Sequence, residues 1–139
     1  MLNEKAISQT FSLAPFKRYQ YFIKKVADFE ELWVLKNDNN DLAFASVEDE
    51  IIVPLWSAIE FVNGCLIGIW EKYHPEKIEL KDFETLVLSF VESQKALLDI
   101  FPVGSKSGFV VTYEEYKRDL EEELEKYFYK ISRFNSSNL

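Results

Sequence analysis

One stretch limits what this chain can fold into. Ile51–Trp70, IIVPLWSAIEFVNGCLIGIW, is its longest nearly uncharged run, with Glu60 the only ionisable carboxylate. Adjacent apolar Ile51 and Ile52 predict a strand covered on both faces. Pro54 cannot donate to a ladder, so the strand is expected to end there. Ser57 followed by Glu60 has the capping-box spacing, which predicts a helix from Ser57 that stops near Gly64, where glycine takes the left-handed position at little cost. Leu66–Tyr73 reads as a short helical turn or a loop. Two of the three tryptophans and the only cysteine fall inside this run, which is therefore expected to form the core.

The flanking segments are read from their periodicity. Met1–Ala14 carries no sustained period and is expected to be a tail or a loose first turn. From Pro15, suited to a first helical turn, Phe16, Tyr19, Phe22, Ile23 and Val26 recur at three- and four-residue spacing, predicting a helix to about Asp28. Lys17, Arg18, Lys24 and Lys25 would fill its solvated sides. Glu31–Lys36, Leu42–Val47 and Ile51–Val53 are separated by the turn clusters Asn37–Asp41 and Glu48–Glu50 and read as a three-stranded meander. Lys77–Leu80 is a brief strand or a lead-in to a helix over Asp82–Ser93. Ala96–Thr112 reads as a hairpin around Gly104–Gly108. Thr112 with Glu115 makes a second capping box, opening a long helix to about Ser132 marked by Tyr113, Tyr116, Leu120, Leu124, Phe128 and Ile131. The expected fold is α+β, a largely antiparallel sheet (the meander plus the C-terminal hairpin) with about four helices packed on it. At 139 residues the expectation is one domain over 15–134 between tails at 1–14 and 135–139.

The formal charge of −8 repels phosphate backbones and anionic lipid, so neither nucleic acid nor membrane is an expected partner; the acidity reads first as a solubility device, and a basic protein is the partner it would otherwise suit. One cysteine makes no internal disulfide, no signal peptide opens the chain, and no apolar run approaches 18 residues, which together point to a reducing cytoplasm. The Asn37–Asp41 loop lacks the glycine and the terminal glutamate of a calcium loop. Gly104–Gly108 lacks the order of a phosphate-binding loop and joins two strands. With one histidine and one cysteine, no transition-metal site is expected, and no catalytic residue or cofactor follows from the spacing. His74 reads as a loop histidine. Trp33, Trp56 and Trp70, together with the acidic Glu121 and Glu122 of the last helix, are the candidate interaction residues.

Several phrases in combination resemble a bacterial family catalogued as domain of unknown function 2750. They are Tyr21-Phe22-Ile23-Lys24-Lys25-Val26-Ala27-Asp28, Glu31-Leu32-Trp33, Val53-Pro54-Leu55-Trp56, Gly68-Ile69-Trp70, Ile78-Glu79-Leu80 with Asp82-Phe83, and Phe101-Pro102. The resemblance spans roughly Arg18 to Tyr127. It implies a small bacterial α+β domain, with no established activity and no site residue to carry over. Size, acidity and the lack of a nucleophile–base set favour an interaction or regulatory module, the immunity type included. The alternatives are a small-ligand binder or enzyme with a cleft near Trp56, Trp70 and His74, and nucleic-acid mimicry by Glu121, Glu122 and Glu123.

Overall fold

A helix stands where the sequence pattern suggests a tail. In the computed structural model, which describes residues 2–137 and side chains as far as Phe128, Glu4–Phe11 forms α1, and the Asn3 side chain caps it by accepting the Ala6 N–H at 2.8 Å. Among its side chains only Thr10 is fully buried, and its apolar stripe is short: Ile7 and Phe11, one turn apart, pack half-buried against the core. The Phe11 ring meets Phe61 and Phe101 edge-on at 5.7 and 6.2 Å. Helix α2, Pro15–Phe29, follows as expected and buries Tyr19, Phe22, Ile23, Val26 and Ala27. Arg18 departs from the expected solvated face. It is buried, donating from Nη1 to the Leu13 carbonyl at 2.6 Å and from Nε to the Phe101 carbonyl at 3.2 Å.

Two sheets follow. Strand β1 (Glu31–Lys36) pairs antiparallel with β4 (His74–Glu79), not with its neighbour in sequence. The second sheet has the order β2-β3-β5-β6, built from Ala45–Val47, Glu50–Leu55, Leu97–Ile100 and Phe109–Val111. The expected meander is thus reduced to the β2–β3 hairpin, whose turn places Glu48 and Asp49 at positive φ. Such a turn matches the twist of the strands it joins. Asn37 holds the preceding loop by accepting two backbone N–H groups on its Oδ1, and β1 reaches the second arm only through an isolated Lys36–Leu42 bridge. The β5–β6 hairpin is as expected, whereas β3 and β5 run parallel. Three of the four ladders are antiparallel, and the fold is α+β.

Pro54 lies inside β3 rather than at its end. The Trp56 N–H, two residues on and hence on the same edge, donates to Trp33. The Pro54 nitrogen therefore faces the gap between the last β2 pair, Ala45–Ile52, and the Trp33–Trp56 bridge, where no ladder donor is needed.

The helix expected from Ser57 is a single turn, α3 (Ile59–Val62), running into a tight turn at Asn63–Cys65. Its cap position is Ala58, and the Ser57 hydroxyl is buried without a partner, so this capping box does not form. The other does. At Thr112, Oγ1 accepts the Glu115 N–H and Glu115 Oε1 accepts the Thr112 N–H, each at 3.1 Å. The expected 82–93 helix begins at Leu80 as α4 (Leu80–Phe83), widens by one residue per turn over Glu84–Leu88 and ends as α5 (Ser89–Gln94). The long α6, Tyr113–Ser137, packs on α2, with Tyr19 donating to Asp119 at 2.5 Å and Tyr127 to Asp28. The expected frayed end at 135–139 is helical through Ser137; positions 138 and 139, and the Ile131 side chain, lie outside the described residues.

Candidate functional site

The β2-β3-β5-β6 sheet has two unlike faces. Leu98 and Ile100 point into the core with Val53, Leu55 and Val111. Alternation along β5 then turns Asp99 to the other face, beside Ile52, Ala45 and Val47. No helix covers that side fully. Two connections lie over it, the turn Ile67–Trp70 and the loop Gly104–Ser107, and the space between them and the sheet is a groove of about 340 Å3.

Phe101 and Pro102 shape the groove's inner end. Phe101 has φ 61°, a left-handed conformation that costs an aromatic residue roughly 1 kcal/mol or more. Its surroundings hold it there: its N–H donates to the Leu55 carbonyl at 2.8 Å, its carbonyl accepts Arg18 Nε, and its ring lies 4.6 Å from that of Phe61. The reversal throws the Pro102 carbonyl inward, where it accepts the Trp56 indole N–H at 3.0 Å and the Cys65 thiol at 3.3 Å. Burial pushes the Cys65 thiol up, which keeps it protonated and a donor.

Asp99 is the groove's one carboxylate and is only 2% exposed. Burial raises it to about 6, opposed by the Gly108 N–H, which donates to Oδ1 at 2.6 Å, and by the charge of Arg18. Trp70 lines the wall and meets Trp56 edge-on at 6.1 Å; its indole N–H has no partner. The outer rim is apolar and exposed: Ile69 at 70%, Ile67 at 53% and Val47 at 49%. Lys106 also lines the groove and makes no ion pair among the described residues.

The structure scatters the residues singled out in the sequence. Trp56 is fully buried, so its ring is closed to a partner. Trp70 is mostly buried and lines the groove. Trp33 is half-buried and lines a different cavity, with Tyr21, Lys25 and Glu60. His74 is exposed on β4 with Nδ1 3.9 Å from Asp38, and does not join the two tryptophans in one cleft. Glu121 and Glu122 lie on the exposed side of α6. Among the described residues no group of three His, Cys, Asp or Glu side chains is placed to hold a metal ion, and no helix is long and apolar enough to cross a membrane. Sequence reasoning missed Asp99. Its one signal was a charge in an otherwise apolar strand, Ala96-Leu97-Leu98-Asp99-Ile100-Phe101.

Residues 19–120 match the model of a family described as protein of unknown function (DUF2750). No curated protein matches the chain.

Proposed function

The chain belongs to that family, whose description leaves its role open, and we propose that it is a small interaction module that takes a basic side chain of a protein partner into the groove against Asp99. The observation that carries the reading is a nearly buried carboxylate at the floor of a groove whose exposed rim is isoleucine and valine. A lysine or arginine suits that shape, with its methylene stem along Ile52, Ile67 and Trp70 and its charged head at Asp99. Rim contacts exclude water around the ion pair, the arrangement that makes a buried contact energetically dominant. The net charge of −8 would steer a basic partner toward the surface, with Glu121 and Glu122 contributing at long range and to the rate more than to the affinity. The reading includes a reducing, cytoplasmic setting, supported by the single buried thiol of Cys65.

The test uses short synthetic peptides that carry one lysine between leucines, against the same peptides with norleucine in its place, followed by amide NMR. Lysine peptides should shift the resonances of residues 104–108 and the Trp70 indole and bind at least about tenfold tighter than the norleucine forms. Asp99→Asn and Ile69→Ser should each abolish the preference or the binding. Lys106→Ala should tighten it, because removing a positive charge from the groove's lining lowers the repulsion of an incoming basic side chain. Binding should weaken as pH falls through about 6, where Asp99 takes up a proton. Equal binding of lysine and norleucine peptides, or none of either, sinks the proposal.

A further inference from the structure

A second cavity, of about 350 Å3, lies between the C-terminal half of α2, β1 and the start of α3, and shares no residue with the groove. Its walls are aromatic: Tyr21, Phe29 and Trp33 line it. Lys25 is held over the ring faces of Tyr21 and Phe29, at 5.6 and 5.8 Å from their centroids. Glu60 lines the same cavity and, among the described residues, accepts one hydrogen bond, from the Leu2 N–H at 3.4 Å. Neither Lys25 nor Glu60 has an ion-pair partner among the described residues, whereas Glu31, also at the edge, is occupied by Lys77 at 3.4 Å. Ser57 also lines the cavity, but its hydroxyl oxygen is shielded from the open space and has no partner among the described residues. Burial raises the Tyr21 phenol, with the Glu60 charge adding to the rise and a hydrogen bond to Thr10 opposing it, so the phenol stays neutral beside that carboxylate.

We infer that this cavity binds a small zwitterion with an aromatic side group, an aromatic amino acid or a close analogue. Its carboxylate would meet Lys25, its ammonium Glu60, and its ring the Tyr21–Phe29–Trp33 walls. The volume is at the small end of the range for ligand pockets, as a single amino acid requires.

L-Phenylalanine, phenylacetate (the anion alone) and phenethylamine (the cation alone) are titrated into the full chain at up to millimolar concentration, following the Trp33 indole N–H resonance. The amino acid should shift that resonance and bind about tenfold tighter than either single-charge analogue, the size expected for losing one charge-assisted hydrogen bond. Lys25→Met should lose phenylalanine yet leave phenethylamine binding unchanged, and Glu60→Gln should do the reverse with phenylacetate, with circular dichroism checking that both variants are folded. No shift with phenylalanine, or equal affinity for all three compounds, overturns the inference. Because the peptide titration reads residues 104–108, failure of either proposal leaves the other standing.

Discussion

Trp33 and Trp56 exchange both of their backbone hydrogen bonds, Trp33 N–H to the Trp56 carbonyl at 2.8 Å and Trp56 N–H to the Trp33 carbonyl at 3.0 Å. This bridge, outside any continuous ladder, stitches the β1–β4 sheet onto the end of β3. The two side chains then part company. The Trp56 ring is fully buried and donates to Pro102, while Trp33 is half-buried at a cavity wall. Trp56→Ala should therefore cost about 3–5 kcal/mol, by the cavity it leaves and the loss of the Pro102 bond. Trp33→Ala keeps the backbone bridge and should cost about 1 kcal/mol. Urea unfolding midpoints of the two variants measure the difference.

Thr112→Ala removes the acceptor for the Glu115 N–H and should destabilise by about 1 kcal/mol, with lost helicity at the start of α6. Ser57→Ala, in a segment with the same spacing, removes only a hydroxyl that has no partner, and should lie within about 0.5 kcal/mol of the parent or gain stability. Chemical denaturation followed by circular dichroism distinguishes them.

Asp99 makes the fold pH-dependent. Between roughly pH 4 and its folded value of about 6, the folded chain keeps a proton that the unfolded chain has released. Stability contributed at this position is thus intact at the acid end, falls as pH rises through that window, and is lower by about 3 kcal/mol once the carboxylate is ionised in both states. Asp99→Asn should abolish this component. The difference in unfolding free energy between parent and variant, measured across that pH range, should change by that amount, the variant gaining on the parent as pH rises.

Two glycines in one loop should respond differently to alanine. At Gly108 an added Cβ would overlap the Ile100 carbonyl oxygen and crowd Phe101, both backbone atoms of the reversal that forms the groove's inner end. Gly108→Ala should destabilise by several kcal/mol and release Asp99 from its N–H partner. Gly104 has φ +58° with open space around it, so Gly104→Ala should cost only about 1 kcal/mol, the strain of the left-handed backbone. Thermal unfolding of both variants reads the contrast.

Where the reading from sequence succeeded, the relevant partners lie a few residues apart. The α2 stripe of Tyr19, Phe22, Ile23 and Val26, the Asn37 turn, the Thr112–Glu115 cap and the β5–β6 hairpin are all local. Each follows from the helical or strand period, or from a side chain bonding nearby backbone. Where it missed, a distant surface decided. Helix α1 has only a short apolar stripe, and its Phe11 packs against rings 50 and 90 residues away. Ser57 and Glu60 have the spacing of a cap, but the Trp33–Trp56 bridge keeps the chain extended just before them and the helix starts two residues late.

The order of apolar and polar residues was enough by itself to settle an α+β chain with its core in the run around Trp56, because burying that run is what offsets the entropy of ordering the backbone. Tertiary structure alone decided that β1 abandons β2 for β4, that β3 lies parallel to β5, that Arg18 is inside, and that Asp99 forms the floor of a groove. The physical reason is common to all four. A side chain's environment depends on which elements cover it, and the covering elements here come from positions tens of residues away, whose mutual fit no local period encodes.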